Sequence, residues 1–134
     1  MNRKNIFLIL SIFIPPLVLI ILRMYFASYL SIFYVNLTVS SIIILIVVSP
    51  ILEELVFRLF LQDVFLSKIN NKLIALFLVN LLFVLVHYKK PINIVYLLAL
   101  FICGMILSII KQNYKLSYAI YLHSYYNILF IIVL

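Results

Sequence analysis

Long apolar runs, broken only at short basic or polar segments, are the feature that most limits what this chain can fold into. Such runs fill residues 6–22, about 30–66, 73–88, 92–110 and 116 to the end. Hydrophobic residues make up 69% of the 134 residues and charged residues only 10%, whereas a soluble domain is usually about half apolar and about a quarter charged. One small core cannot bury so much apolar surface, so the sequence predicts helices that are solvated by a lipid bilayer.

The runs predict one all-α domain, a polytopic transmembrane bundle of about five helices. The chain has one Gly and four Pro, and no polar tract is long enough to separate two domains. The stretch "SKINNK" (67–72) predicts a polar turn, and Pro91 predicts the end of the third helix, since proline disfavours a helical residue before it. We divide the chain into an N-terminal transmembrane helix, residues 1–30, and a core, residues 31–134.

Two of the predicted spans have alternative interpretations. Residues 6–22 follow a basic start, as in a signal peptide, but no clean A-x-A cleavage site follows. We therefore expect a retained first helix, kinked by Pro15 and Pro16. The second run is too long for one upright span of about 20 residues. Either it forms a long, tilted helix or it breaks near Pro50.

Basic residues lie at the predicted ends of the spans and do not form a patch. The formal net charge is +7. The residues at the span ends are Arg3, Lys4, Arg23, Lys68, Lys72, Lys89, Lys90, Lys111 and Lys115. This distribution is typical of cationic anchors at membrane interfaces and argues against nucleic-acid binding. With the N-terminus inside, six of the nine lie in inner loops, which favours a cytoplasmic N-terminus.

The few ionisable side chains inside the apolar runs are the candidates for function. The chain has only three acids and two histidines, and ionisable groups at membrane depth are costly and usually functional. Glu54 and Arg58 are four residues apart, so on a helix they share a face and can pair. Glu53 points about 100° away from Glu54 and can serve a different task. A purely structural ion pair is the simpler interpretation of Glu54 and Arg58.

The helical rise predicts that several polar groups lie at similar heights. Glu53 lies 13 residues before Leu66 and His87 lies 14 residues after Leu73, the residues that flank the turn, or roughly 20 Å each at 1.5 Å per residue. His123 and Asn127 are four residues apart on the last helix, roughly 10 to 17 Å from its start on the side of that turn. We therefore expect helices 2, 3 and 5 to converge on one polar cluster. Taken alone, each histidine has a simpler interpretation as an interfacial or packing residue.

Three short motifs carry a family resemblance. The stretches "EELVFR" (53–58), "FVLVH" (83–87) and "HSYYN" (123–127) resemble the EExxxR, FxxxH and HxxxN motifs of the CPBP family. This family includes the type II CAAX-prenyl endopeptidase and bacterial Abi-type proteins. The resemblance covers residues 45–134 in a coarse pattern. It implies a four-helix catalytic core within 31–134 and favours a long second helix from about 36 to 66.

The resemblance also implies an intramembrane glutamic peptidase. Glu53 matches the general base that activates water, and His87 matches the residue that orients or activates that water. His123 and Asn127 match the groups that stabilise the oxyanion, for which donors in a dry site are worth several kcal/mol. The supporting residues are Glu54, Arg58 and Phe83.

A zinc site is the alternative to a metal-free one. One Glu and two His form the ligand set of many catalytic zinc sites. However, no H-E-x-x-H occurs and the histidines lie on separate helices. We expect no cofactor, because Asn127 suits an oxyanion donor better than a zinc ligand. Cys103 has no His within a turn and does not fit nucleophilic catalysis.

The leading functional hypothesis is an integral protein of the bacterial plasma membrane that cleaves a membrane-anchored peptide or protein. The first alternative, which the Abi-type resemblance also allows, is a non-catalytic bacteriocin-immunity or assembly factor. The second is a small carrier or channel, which explains buried charge but not this order of Glu, His, His and Asn. The sequence leaves the substrate open, including whether it is prenylated.

Overall fold

Five helices make up the structure, a computed structural model that describes residues 3–30, 38–88 and 94–133. They are α1 (Arg3–Leu30), α2 (Val39–Lys68), α3 (Lys72–Val86), α4 (Ile94–Asn113) and α5 (Leu116–Val133). The described residues contain no strand, which confirms the predicted all-α fold. The predicted helix start at residue 36 and the "KKP" segment (89–91) lie outside these ranges, and the side chains of Arg3, Lys4 and Arg23 are not among those described.

Helix α2 is continuous for 30 residues and passes through Pro50. This confirms the long-helix interpretation, and the alternative of a break near Pro50 is wrong. At 1.5 Å per residue the helix is about 45 Å long, more than the roughly 30 Å of a bilayer's hydrocarbon core. Two π-helical segments, Ile44–Val48 and Leu55–Leu61, interrupt its α-helical pattern. The second begins directly after the Glu53–Glu54 pair, and such segments are frequent at functional sites.

The turn between α2 and α3 is the polar turn that the sequence predicts. Helix α2 ends at Lys68, and Asn71 caps the start of α3. The Asn71 side-chain oxygen accepts from the backbone N–H groups of Leu73 (3.0 Å) and Ile74 (3.2 Å). Because these N–H groups have no partner within the helix, the cap satisfies them. The turn therefore fixes the point from which α2 and α3 run back past each other.

The helices expose much apolar surface, as a protein in a bilayer does. Helices α2 and α4 are long and apolar enough to cross a membrane. Shorter apolar segments are Asn5–Val18, Lys72–Val86 and Leu116–Ile132. Large side chains such as Phe13, Phe60 and Val86 are 64–71% exposed. Lipid solvates such side chains without the free-energy cost that they would carry in water.

The chain divides into two compact units, residues 1–51 with 120–134 and residues 52–119. The second unit has an aromatic and aliphatic core of Phe57, Val79 and Phe83. Leu61, Phe65 and Leu100 pack against this core. In the first unit, side chains of α5 form hydrogen bonds to α1 and to the start of α2. The predicted division between residues 30 and 31 remains a prediction.

Candidate active site

His87 terminates α3, and the way that the helix ends sets the position of its ring. The helix ends at Val86, two residues earlier than predicted, and His87 has φ −86° and ψ 0°. The His87 N–H bonds to the Val84 carbonyl, three residues back (3.1 Å), so it is not the helical donor to Phe83. The His87 ring replaces that donor, with Nδ1 2.8 Å from the Phe83 carbonyl oxygen. The F-x-x-x-H spacing therefore lets the histidine cap its own helix.

The Glu53 carboxylate lies against this ring. Glu53 Oε2 is 3.4 Å from His87 Nε2, across the interface between α2 and α3. The two residues thus lie at matching heights, as the helical rise predicts. Their side chains are 21% and 27% exposed, respectively, although Glu53 Oε2 itself is buried. A separation of 3.4 Å is long for a direct hydrogen bond, as is common for catalytic pairs without substrate.

The hydrogen bonding around His87 implies that this pair shares a proton. A carbonyl oxygen only accepts, so the contact with Phe83 assigns a proton to Nδ1. In a neutral imidazole, Nε2 would then present a lone pair to the carboxylate oxygen. One proton, held on Nε2 or on the Glu53 carboxyl, removes this repulsion. The pair is arranged to take up and release one proton, which general acid–base catalysis requires.

Glu54 and Arg58 pair in the interior, as their spacing predicts. Glu54 Oε2 is 3.4 Å from Arg58 Nε, and both side chains are fully buried. Removing one partner of a buried pair leaves an uncompensated charge, which costs about 3–5 kcal/mol. The adjacent acids Glu53 and Glu54 therefore differ in environment: one faces a guanidinium in the core and the other faces an imidazole in a partly open site.

A buried polar network extends from Arg58 to α3 and α4. Arg58 Nη2 donates to the Gly104 carbonyl (3.2 Å) and to Asn80 Oδ1 (3.4 Å). Asn80 Nδ2 donates to the Leu76 carbonyl (2.8 Å) and to Ser108 Oγ (2.9 Å). Arg58 and Asn80 thus join three helices through side chains that water does not reach. Low dielectric strengthens such hydrogen bonds and makes each unmade one costly.

Gln62 adds a second link between α2 and α4. Its side-chain nitrogen donates to the Ser108 carbonyl (3.2 Å), and the Gln62 side chain is fully buried. Glu54, Arg58 and Gln62 follow one another at intervals of four residues, so they form one polar ridge on α2. Arg58 and Gln62 of this ridge hold α2 against α4.

Phe83 lies between the buried Glu54–Arg58 ion pair and the partly exposed Glu53–His87 pair. Its ring packs edge-on against Phe57, with 5.2 Å between centroids and 88° between planes. The Arg58 guanidinium carbon lies 4.6 Å from the centre of the Phe83 ring, and the His87 ring centroid lies 4.4 Å from it. A guanidinium over an aromatic face is attracted by about 0.5–2 kcal/mol. Phe83 thus packs between Arg58 and His87 and restricts both.

His123 and Asn127 lie in the first unit, on α5. His123 is buried, with 6% of its surface exposed. Asn127 Nδ2 donates to the Leu45 carbonyl of α2 (2.8 Å). An amide nitrogen carries two N–H groups, so one remains for another acceptor. The neighbouring Tyr126 hydroxyl donates to the Ser11 carbonyl of α1 (2.8 Å).

Sequence reasoning missed two buried polar residues of this region, Asn80 and Gln62. Both carried a signal. Asn80 is the only uncharged polar residue in the apolar run of α3, three residues before Phe83 and therefore on the same face. Gln62 lies four residues after Arg58. At Gly104 and Ser108, α4 packs close to α2, since the carbonyls of both residues accept hydrogen bonds from α2 side chains.

Few of the described side chains in this region could coordinate a metal ion. Within the ranges that the structure describes, no three His, Cys, Asp or Glu side chains are close enough together to hold a metal ion. Glu53 and His87 are two such donors. His87 Nδ1 is engaged by a carbonyl, so only its Nε2 faces a possible ligand position.

Fold and site together define a polytopic membrane protein with a carboxylate–imidazole pair on two adjacent helices. The family model described as type II CAAX prenyl endopeptidase Rce1-like matches residues 35–129. The chain therefore belongs to this family of membrane-embedded proteases, which confirms the family that the three motifs indicate. No curated protein and no solved structure matches the chain.

Proposed function

We propose that the protein is an intramembrane endopeptidase in which Glu53 and His87 activate a water molecule. The 3.4 Å contact between their side chains is the observation that carries the proposal. It brings together a carboxylate and an imidazole, arranged to share one proton, in a partly exposed position. General acid–base catalysis by such groups contributes typically 10²–10⁴-fold to a rate.

In the proposed reaction the Glu53 carboxylate accepts a proton from water as the water oxygen attacks the scissile carbonyl carbon. His87 holds that water through Nε2, because Nδ1 is fixed on the Phe83 carbonyl. The developing oxyanion accepts hydrogen bonds from His123 and Asn127, the roles that the HxxxN motif implies. When the C–N bond breaks, the proton from Glu53 passes to the leaving amine. No metal is needed for these steps.

The proposed substrate is a membrane-anchored peptide or protein that enters from the bilayer. The family membership supports this class, since the matching model is described as a prenyl endopeptidase. We further propose that the protein lies in a bacterial plasma membrane with its N-terminus in the cytoplasm, because six of nine basic anchors then lie inside. Reporter fusions at the N-terminus and after Lys68 test the orientation: both should report the cytoplasmic side.

The test of catalysis uses purified protein in detergent and a quenched fluorescent peptide that ends in a farnesylated CaaX sequence. Glu53→Gln and His87→Asn should each lower cleavage at least 10²-fold while the melting temperature stays within about 2 °C. Phe60→Leu is the matched control, since Phe60 lies on the same helix and is 64% exposed. It should cleave like the parent.

Cleavage that survives Glu53→Gln would refute the assignment of the base. A parent protein that cleaves neither this peptide nor an unprenylated membrane peptide would favour the alternative, a non-catalytic immunity or assembly factor. Chelator treatment tests the metal-free proposal: activity should persist, and loss that added zinc restores would support the zinc alternative.

A further inference from the structure

Pro15 leaves one carbonyl of α1 without its helical donor. A proline has no N–H, so the carbonyl four residues before it, that of Ser11, lacks the usual hydrogen bond. Both Ser11 and Pro15 are buried. The Tyr126 hydroxyl donates to the Ser11 carbonyl at 2.8 Å. In a membrane a proline is tolerated where a neighbouring helix satisfies the group that it exposes, and Tyr126 does this for α1.

Pro50 creates the same situation in α2. In the π-helical segment Ile44–Val48, the Ser49 N–H donates to the Ile44 carbonyl, five residues back. The same pattern would assign the Leu45 carbonyl to the N–H of residue 50, which is a proline and has none. Asn127 Nδ2 donates to the Leu45 carbonyl at 2.8 Å. A side chain of α5 again supplies the donor that a proline removes.

The two donors are consecutive residues of α5. Side chains of neighbouring helical residues project about 100° apart, so Tyr126 and Asn127 can contact two different helices at one height. One contact would leave the helix able to rotate about its axis, whereas two contacts in different directions fix its rotation. His123 lies one turn before Asn127 on the same face. Its direction therefore depends on how α5 is rotated about its axis.

We propose that Pro15 and Pro50 expose two carbonyls as docking points for α5, and that Tyr126 is a positioning residue that fixes the direction of His123. The docking is independent of what the protein does. Only its effect on catalysis depends on the proposed peptidase function. Asn127 then has two tasks, one N–H for the Leu45 carbonyl and the other for the oxyanion.

A double-mutant cycle between Pro15 and Tyr126 tests the docking by thermal unfolding in detergent. Tyr126→Phe removes only the donor and should lower the melting temperature by about 2–4 °C. Pro15→Ala restores a helical N–H for the Ser11 carbonyl, so the same substitution should cost less than half as much in that background. Tyr121→Phe is the matched control, because Tyr121 is 75% exposed on the same helix, and should change the melting temperature by less than about 1 °C.

A second cycle applies the same logic to α2. Asn127→Ala should lower the melting temperature in the parent and should lower it less after Pro50→Ala, which supplies an N–H for the Leu45 carbonyl. Equal losses with and without the proline, in either cycle, would overturn the docking at that point. Smaller losses after the proline is replaced would support it.

The positioning role of Tyr126 is tested by measurements that a general loss of stability does not change. Tyr126→Phe should lower kcat on the farnesylated peptide about tenfold with KM unchanged, and Pro15→Ala should restore most of it. Hydrogen exchange of residues 120–130, measured relative to that of α3, should rise in Tyr126→Phe and return in the double variant. If the parent does not cleave the peptide, the peptidase proposal fails and hydrogen exchange alone decides the positioning. Unchanged kcat and unchanged exchange in Tyr126→Phe would overturn the positioning role.

Discussion

Gly104→Ala should destabilise the protein, although alanine is the better helix former. The only glycine of the chain lies where α4 approaches the buried polar network. A methyl group there would come within 2.5 Å of Asn80 Oδ1 and 3.2 Å of Arg58 Nη2. Asn80 cannot simply withdraw, because its nitrogen is held by the Leu76 carbonyl and by Ser108 Oγ. Either the helices separate or Asn80 loses hydrogen bonds.

The magnitude follows from three effects. Forcing an extra methyl into a packed interior costs about 1–3 kcal/mol. A hydrogen bond that Asn80 loses costs about 1 kcal/mol more. The higher helix propensity of alanine returns about 1 kcal/mol. The net expectation is a loss of about 2 kcal/mol, or a melting temperature lowered by roughly 7 °C in a chain of this size.

The assay is thermal unfolding in detergent, followed by far-ultraviolet circular dichroism. Gly104→Ala is measured in the parent and in an Asn80→Ala background, where the obstructing side chain is absent. In that background the cost of Gly104→Ala should shrink or change sign. A higher melting temperature for Gly104→Ala in the parent would mean that helix propensity dominates, and it would refute the close approach of α4 to Asn80.

Three further substitutions compare the buried Glu54–Arg58 ion pair with the more exposed Asp63–Lys111 ion pair. Glu54→Gln should cost about 3–5 kcal/mol in thermal unfolding, because it leaves the Arg58 charge uncompensated; a loss as small as that of Glu53→Gln would contradict the burial of this pair. Arg58→Lys should cost about 2 kcal/mol despite keeping the charge, since an ammonium cannot replace a planar fork that contacts Glu54 and α4 at once; near-parental unfolding would argue against the fork. Asp63→Asn removes the ion pair with Lys111, in which Asp63 is half exposed, and should cost less than about 1 kcal/mol at any salt concentration. A clearly larger loss would show that this ion pair is part of the core.

The sequence predicted the contacts that depend on helical periodicity. Glu54 and Arg58 pair because residues four apart share a face, and Glu53 meets His87 because equal distances from one tight turn place residues at equal heights. Both arguments need only the rise and the period of a helix. The rise and period of a helix could not predict that His87 Nδ1 carries a proton. That follows because His87 leaves the helix and its own ring caps the helix end.

The sequence did not predict the π-helical segments or what they do. A change of hydrogen-bond register along a backbone leaves no regular pattern of side chains. Pro50 was a signal, but a proline predicts a break as readily as a register change. The outcome depends on whether another helix supplies a donor for the exposed carbonyl. Here Asn127 supplies a donor to the Leu45 carbonyl from 82 positions further along the chain, and such a distant partner cannot be predicted from local sequence.

The adjacent acids Glu53 and Glu54 show what the buried polar network does for this membrane protein. Two neighbouring carboxylates repel each other most strongly where the dielectric constant is low. Arg58 compensates Glu54, and Asn80 and the Gly104 carbonyl hold the guanidinium in place. The Glu53 carboxylate, by contrast, faces the His87 imidazole and is partly exposed. The buried network thus engages one carboxylate and leaves the adjacent carboxylate facing an imidazole in a partly exposed position.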